Sequence, residues 1–227
     1  MGDTKSIAII IARGGSKRIP RKNIKEFLGK PIIEYSIKAA LESGVFDEVM
    51  VSTDDEEIAN IAKSAGASVP FMRNEATAND FATTDEVIDE VINSYNVKFD
   101  NLCCIYPTAP FITSEILKEA MTMLEDAESV LPVVAFSYPP QRSFVVNDGE
   151  LRRKYPEHAL TRSQDLETHY HDAGQFYACR VEAFMRNKTT DVDNMVPLVL
   201  DEMSAQDIDT LEDWELAQLK YKMRGGK

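Results

Sequence analysis

The stretch SIAIIIARGGSKRIPRKN, residues 6–23, decides the fold and indicates a ligand class. Its beginning, Ser6 to Ala12, is an isoleucine-rich run that predicts a strand buried on both faces. The following segment, Arg13 to Asn23, holds two glycines, a proline and five cations, which predict a loop. A buried strand that runs directly into such a loop is typical of an α/β domain with a parallel sheet.

The rest of the chain repeats this alternation of buried strands and amphipathic helices. Further strands are predicted at Glu48–Ser52, Ala67–Met72, Asn101–Tyr106, Ser129–Phe136, Ala173–Cys179 and Met195–Leu200. Helices are predicted at Ile32–Ser43, from Asp54 to Gly66, from the capping-box sequence at Thr83, at Ser114–Leu124, and at Leu211–Met223 with Thr210 as N-cap. At least five strand–helix alternations precede residue 137. Because crossovers are right-handed, the pattern predicts a doubly wound, mostly parallel sheet with its ligand crevice at the carboxyl ends of the strands.

Residues 137–170 differ from the rest of the chain in composition, with two adjacent prolines, an Asn147-Asp148-Gly149 turn and few apolar residues. This pattern indicates a hairpin arm or an exposed excursion rather than a second folded domain. We therefore expect one domain over residues 1–227, with residues 137–170 as an inserted arm.

Composition excludes several classes of protein. The longest apolar run, Ile7 to Ala12, is far below the roughly 20 residues of a membrane span, and no signal peptide is evident, so a cytoplasmic protein is expected. The net charge of -13 disfavours binding to nucleic acid or to an anionic membrane. The three cysteines, Cys103, Cys104 and Cys179, are interpreted as small core residues in a reducing compartment.

The basic loop is the exception to this acidity, since residues 13–30 carry seven cations and one anion. Two glycines let the backbone approach a ligand, and successive amides can form a concave site for phosphate oxygens. Arg13, Lys17 and Lys22 would supply charge, and Ser16 a hydroxyl donor. The loop matches neither the P-loop nor the dinucleotide-binding pattern. It predicts a phosphate site, and a basic solvated loop is the alternative.

A pair of carboxylates, Asp207 and Asp209, precedes the last predicted helix. In an extended chain their side chains share one face, with Cα atoms roughly 6.6 Å apart. One or two carboxylates with substrate phosphates and water are the ligands that Mg²⁺ favours, so the pair and the basic loop together suit a nucleoside triphosphate. Alternatively, Asp209 is only a neighbour of the helix cap.

Other polar residues are expected near the same crevice. Tyr106-Pro107-Thr108-Ala109-Pro110 ends a predicted strand, and its prolines either expose Thr108 to the crevice or form a plain strand-terminating turn. Arg73 and Thr84 lie close to strand or helix ends. The sequence at residues 169–172, with two histidines, is interpreted as a polar pocket wall rather than a metal site. No nucleophile with an adjacent base is indicated, because Cys103 and Cys104 lie within a strand.

Four ordered motifs resemble the CMP-sialic acid synthetase family, the cytidylyltransferases that activate acidic sugars. They lie at residues 11–23, 51–54, 106–110 and 207–210, so that the resemblance covers nearly the whole chain. Within the family, residues 162–165 and 170–177 look most like the branch acting on pseudaminic acid. Members that handle N-acetylneuraminate commonly carry Gln at the position of Tyr106 and Arg at that of His171.

The resemblance implies a role for each of these residues. The nucleotide would be bound by Ala12, Arg13, Gly14, Gly15, Ser16, Asn23, Arg73 and Thr84. Catalysis would depend on Arg13, Lys17, Lys22 and Asp209, with Asp207 and Asp209 holding Mg²⁺. The sugar would be bound by Thr108, Gln141, Arg142, His171 and Tyr177. The arm would be exchanged between the two subunits of a homodimer.

The expected reaction is CTP plus pseudaminic acid giving CMP-pseudaminic acid and pyrophosphate. Activation of N-acetylneuraminate or legionaminate is the alternative within the family. A glycosyltransferase with a metal-binding D-x-D pair, or a non-catalytic module that binds CTP, are alternatives from other classes. The first would consume a nucleotide sugar without releasing pyrophosphate, and the second would turn nothing over.

Overall fold

Seven strands form the central sheet of the computed structural model, which describes residues 4–225. The strands are β1 (Ser6–Ile11), β2 (Glu26–Phe27), β3 (Lys30–Pro31), β4 (Glu48–Ser52), β5 (Asn101–Ile105), β6 (Ser129–Ala135), β7 (Phe144–Asn147), β8 (Glu150–Arg153), β9 (Tyr170–Asp172), β10 (Phe176–Arg180) and β11 (Met195–Leu200). The helices are α1 (Ile33–Ser43), α2 (Glu56–Ser64), α3 (Glu75–Ala78), α4 (Thr84–Ser94), α5 (Ser114–Met123), α6 (Val181–Asn187) and α7 (Leu211–Met223).

The sheet runs in the order β11-β6-β10-β5-β1-β4, with β9 also paired to β6. Strand β1 lies between β4 and β5 and is parallel to both, and β11 is parallel to β6. Strand β10 is antiparallel to β5 and β6, and β9 is antiparallel to β6. The predicted mostly parallel α/β sheet is confirmed, with two reversed strands, β9 and β10, among the seven.

Helices cover both faces of the sheet, which explains the uninterrupted apolar run of β1. Ala8 and Ile10 pack with α1, α2 and α5, whereas Ile7 and Ile9 pack with α4 and α6. The cysteines follow the same alternation, because Cys103 lies in the first cluster and the adjacent Cys104 in the second. Both are fully buried free thiols, as predicted.

The helix boundaries follow the predicted caps closely. Thr83 and Thr210 each form a capping box, and Gly44 ends α1 with a φ of 64°. The predicted strand at Ala67–Met72 was wrong. Ser68 makes a single parallel bridge to Met50, and the chain then leaves the sheet at Pro70, which has no amide hydrogen to continue a ladder.

A third apolar cluster joins the basic loop to the last helix. Ile208 is 1% exposed and packs with Ile19, Phe27 and Trp214 beneath α7. Because alternate side chains of an extended segment point in opposite directions, burial of Ile208 turns both neighbouring carboxylates away from this core. The chain therefore presents Asp207 and Asp209 beside the loop that begins at Arg13.

The segment 137–170 contains a hairpin of β7 and β8, closed at Asp148 and Gly149. Both turn residues have positive φ, 51° and 81°, as a two-residue hairpin turn requires.

Among the described residues, no helix is both long and apolar enough to cross a bilayer.

Asp55 makes the start of α2 sensitive to pH. Its carboxylate caps the helix through the Ile58 amide and forms an ion pair with Arg21, which lowers the Asp55 pKa to about 2. A lowered pKa stabilises the fold above about pH 4, and this contribution is lost as the pH falls towards 2. We expect Asp55→Asn, which retains a capping oxygen, to lower the free energy of unfolding at pH 7 by about 1 to 2 kcal/mol.

Urea denaturation at pH 7 and at pH 2.5 tests this expectation. The difference between wild type and Asp55→Asn should shrink at the lower pH. The matched control is Glu119→Gln, which changes an exposed carboxylate on α5 and should cost little at either pH. A difference that is constant with pH would show that the Asp55 charge does not stabilise the fold.

Candidate active site

A cleft of about 330 Å³ opens at the carboxyl ends of β1 and β5. The structure brings into its wall ten of the residues singled out from the sequence. These are Arg13, Ser16, Lys17, Lys22, Asn23, Arg73, Thr84, Thr108, Asp207 and Asp209. The basic loop, the end of β5 and the carboxylate pair are far apart in sequence and meet only here, at the edge of the sheet where a ligand was expected.

Hydrogen bonds hold the basic loop in place. The buried side chain of Asn23 donates from Nδ2 to the Arg13 carbonyl at 2.9 Å, which ties the end of the loop to its beginning. The Gly14 amide donates to Asp54 Oδ1 at 2.9 Å, and the Ser16 amide donates to the Gly14 carbonyl at 3.1 Å. These two amides are therefore engaged in the ligand-free loop, and side-chain cations supply much of its capacity for an anion.

The two glycines of the loop differ in their surroundings. A Cβ on Gly14 would lie 2.7 Å from Asp55 Oδ2, whereas a Cβ on Gly15 would meet nothing within 4 Å. Asp55 has little freedom to withdraw, because it caps α2 and pairs with Arg21. We expect Gly14→Ala to lower the free energy of unfolding by about 1 to 3 kcal/mol.

Gly15→Ala is the matched control and should change stability by less than about 0.5 kcal/mol. Chemical denaturation of the two variants at neutral pH measures the contrast. Equal stability of the two would mean that the loop moves freely away from Asp55.

The phosphate-binding candidates already face an anion. Arg13 Nη1 donates to Asp80 Oδ1 at 2.7 Å and to the Asn79 carbonyl at 3.1 Å, and Lys17 pairs with the other Asp80 oxygen. These cations hold the pKa of Asp80 below its ordinary value. Sequence reasoning missed Asp80, because an acidic residue is unexpected in a phosphate site and only the fold brings it to the loop.

Asp209, one of the two carboxylates of the cleft, is also paired with cations. Arg18 Nη1 lies 2.8 Å from Asp209 Oδ2, and Lys22 Nζ lies 3.5 Å from Asp209 Oδ1. Lys22 also donates to the Ile208 carbonyl at 2.7 Å. The Asp209 side chain is thus directed to the basic loop, and the helix cap is formed by Thr210 instead.

The carboxylate pair has the chemistry of a divalent-cation site. Burial and the neighbouring Asp209 raise the pKa of Asp207, as expected for two anions held close together. Within residues 4–225 no cluster of three or more His, Cys, Asp or Glu side chains could hold a metal ion. Two hard oxygen donors therefore fit Mg²⁺ if phosphate oxygens and water complete its shell.

Arg73 and Thr84 line the opposite side of the cleft. Arg73 is buried and donates from Nε to Ser52 Oγ at 2.9 Å and from Nη2 to the Ser52 carbonyl at 2.6 Å. Its desolvation lowers its pKa. Arg73 therefore has a fixed position beneath the cleft, whereas Thr84 stands at the first turn of α4.

A second cleft of about 340 Å³ adjoins the first and is lined by His171, Asp172, Glu202, Asp207 and Lys220, among others. Asp207 lines both clefts, so a ligand in the second cleft would lie beside the same carboxylate as a ligand in the first. The reversed direction of β10 explains this placement. An antiparallel strand brings the residues before its beginning to the edge where its neighbours end.

A chain of side chains runs between the clefts. Thr84 Oγ1 lies 3.4 Å from Tyr106 Oη, which lies 3.5 Å from Tyr177 Oη, and Tyr177 donates to Asp172 Oδ2 at 2.5 Å. Burial raises the pKa of both tyrosines, which keeps their hydroxyls protonated as donors. Tyr177 thus contacts residues of both clefts.

Besides Tyr177, five of the predicted site residues line neither cleft, namely Ala12, Gly14, Gly15, Gln141 and Arg142. Gln141 donates to the Glu167 carbonyl and Arg142 to the Ala159 carbonyl, so both bond within the arm. Gly15 lies in the open part of the loop, with space where a Cβ would be. Ala12 is buried and pairs through its amide with the Ser52 carbonyl.

Comparison with known proteins adds independent findings. A family model described as "Cytidylyltransferase" matches residues 7–213. The chain is 43% identical over 225 residues to a pseudaminic acid cytidylyltransferase of Campylobacter jejuni, which covers 96% of this chain and 97% of that one. It is 36% identical to a CMP-N,N'-diacetyllegionaminic acid synthase of Legionella pneumophila, over 93% and 94% of the two chains.

Among solved structures, a CMP:2-keto-3-deoxy-manno-octonic acid synthetase complexed with CTP superposes with a TM-score of 0.71. The match covers 97% of this chain and 100% of that chain at 19% identity. At that identity the likeness concerns the fold.

Proposed function

Because the chain belongs to the cytidylyltransferase family, we propose that it transfers the cytidylyl group of CTP to pseudaminic acid, releasing pyrophosphate. The cleft supports the proposal of nucleotidyl transfer, because it brings together a basic loop and a carboxylate pair. A triphosphate requires the first and its metal ion the second. The choice of sugar rests on the 43% identity to the C. jejuni enzyme over 96% of this chain.

In this reaction the anomeric hydroxyl of the sugar attacks the α-phosphorus of CTP. A phosphorus–oxygen bond forms to the sugar as the bond to the pyrophosphate oxygen breaks, and the hydroxyl proton is released to solvent. Arg13 and Lys17 bind phosphate oxygens in place of Asp80, and Lys22 contributes charge at the end of the cleft nearest Asp209. The protein contributes chiefly alignment and neutralisation of charge.

Asp207 and Asp209 hold the Mg²⁺ ion in this proposal. A bound Mg²⁺ neutralises charge on the phosphates and polarises the phosphorus centre. Lys22 and Arg18 hold Asp209 in place, and the buried Ile208 between the carboxylates fixes the direction in which both side chains point.

The sugar occupies the second cleft, beside Asp207. Its anomeric hydroxyl must approach a phosphate held in the first cleft, and Asp207 borders both spaces. His171 lines this second cleft, whereas Thr108 lines the first and Tyr177 contacts Tyr106 between them. Gln141 and Arg142 join the site through a movement of the arm or through the arm of a second subunit.

The proposal is tested by pyrophosphate release with CTP and Mg²⁺. Pseudaminic acid, N-acetylneuraminic acid, legionaminic acid and 3-deoxy-manno-octulosonic acid are offered separately. We expect the highest kcat/KM with pseudaminic acid. A preference for legionaminic or N-acetylneuraminic acid would correct the substrate, and CTP binding without turnover of any acid would contradict the function.

We also propose a cytoplasmic homodimer that pairs through the arm. Several apolar side chains of residues 137–170 are largely exposed in the single chain, notably Tyr138 at 87% and Leu160 at 98%. Surfaces of this kind are commonly covered by a partner. Light scattering at working concentration should give twice the mass of one chain, and a monomer would contradict the proposal.

A further inference from the structure

We infer that Lys220 of α7 binds the carboxylate of the acidic sugar. The inference rests on the proposed function and extends it to a residue outside the four sequence motifs. It begins from an electrostatic problem in the second cleft, where Asp172, Glu202 and Asp207 all contribute to the wall. An anionic sugar is repelled by such a wall unless a cation faces it.

Among the described residues that line this wall, Lys220 is the one lysine, and no arginine lines it. The other basic side chain in this wall is the imidazole of His171. Its Nδ1 lies 2.8 Å from the Asp172 carbonyl and its ring lies against Phe136. Among the described side chains of this wall, the permanently charged cation is therefore Lys220 on α7.

The ammonium group of Lys220 is fixed by two backbone carbonyls and has a donor left for an anion. Nζ donates to the Glu202 carbonyl at 3.2 Å and to the Ala205 carbonyl at 3.1 Å. An ammonium group has three donors, so one remains. Within residues 4–225 Lys220 forms no ion pair, unlike Lys17 and Lys22 in the first cleft, so its charge is available to a ligand.

The position of Lys220 suits the reaction, as its charge does. The segment held by Lys220 leads directly into Asp207, which borders both clefts. Lys220 lines the second cleft and not the first, so a carboxylate bound at Lys220 holds the sugar in the cleft that the basic loop does not line. Competition between the sugar carboxylate and the triphosphate for Arg13 and Lys17 is avoided.

The test compares each sugar acid substrate with its C1 carboxamide, which has the same shape without the charge. Lys220→Gln retains hydrogen-bond donors for the two carbonyls, and Lys220→Met removes them. The matched control is Lys222→Met, an exposed lysine on the same helix. Steady-state kinetics are measured at saturating CTP and Mg²⁺ with both forms of the sugar.

We expect Lys220→Gln to raise KM for the acid about 10- to 100-fold, as for loss of a hydrogen bond to a charged group. The KM for CTP should stay within about twofold. The preference of the wild type for the acid over the carboxamide should fall towards one, and Lys222→Met should keep that preference.

An unchanged preference in both Lys220 variants, even with lower kcat, would overturn the inference and leave Lys220 as a support for the Glu202–Ala205 turn. In that case the wild type still turns over the acid, and the proposed function stands. A wild type that turns over no acid would overturn the proposed function and this inference together.

Discussion

Asp209→Asn is expected to lower kcat/KM for Mg²⁺-dependent turnover by about 1,000-fold while leaving the fold intact. A bound metal ion contributes several kcal/mol of charge stabilisation in a transition state, and each 1.4 kcal/mol is worth tenfold. An asparagine retains the shape and one acceptor oxygen, so the contacts to Arg18 and Lys22 survive in weaker form. Pyrophosphate release measured across a range of Mg²⁺ concentrations reports the loss.

Glu215→Gln is the control for this change. Glu215 is an exposed carboxylate on α7 and does not line either cleft. Its removal should leave the Mg²⁺ dependence within about twofold of the wild type. Full activity of Asp209→Asn would show that Asp209 is not a metal ligand, and Asp207 would remain as the one candidate of the pair.

Lys22→Met is expected to lower kcat/KM for CTP by at least about 100-fold, the loss typical of removing one preorganised donor from a charged transition state. Lys22 is only 20% exposed, lies 3.5 Å from Asp209 Oδ1, and donates to the Ile208 carbonyl. Without it Asp209 loses the less exposed of its two cationic partners. Lys22→Arg should recover little activity, since a planar guanidinium does not fill the place of a compact ammonium.

Lys98→Met, which changes an exposed lysine outside both clefts, should behave as the wild type. The double variant Lys22→Met/Asp209→Asn provides a second check. Because the two side chains are in contact, their effects should not add, and the double variant should lose much less than the product of the single losses. Strict additivity would mean that Lys22 and Asp209 act independently.

The fold was largely predictable because the strands and helix ends carry local signals. The isoleucine run of β1, the capping boxes at Thr83 and Thr210, and the stop at Gly44 act over a few residues. Strand direction is not local. Nothing in the pattern of β10 distinguishes a parallel strand from the antiparallel one observed, because both lie buried between neighbours.

The candidate site was predictable to the extent that its residues cluster in motifs. Basic side chains beside glycines, and two carboxylates at a spacing of two, indicate their chemistry without knowledge of the fold. Asp80 and Lys220 carry no such signal. Asp80 follows a short helix in a polar loop, and Lys220 is one charge among several on the last helix, so only tertiary contacts give either a role.

The pairing of β9 with β6 has a consequence for how such a protein can diverge. Ala135, where the chain leaves the sheet, is the direct partner of Tyr170, where it returns. Everything between them is a closed excursion whose two ends already touch, so a segment of different length or sequence can replace it without disturbing the register of the sheet. The excursion between Ala135 and Tyr170 can therefore change while the sheet and the cleft at the carboxyl ends of β1 and β5 keep their geometry.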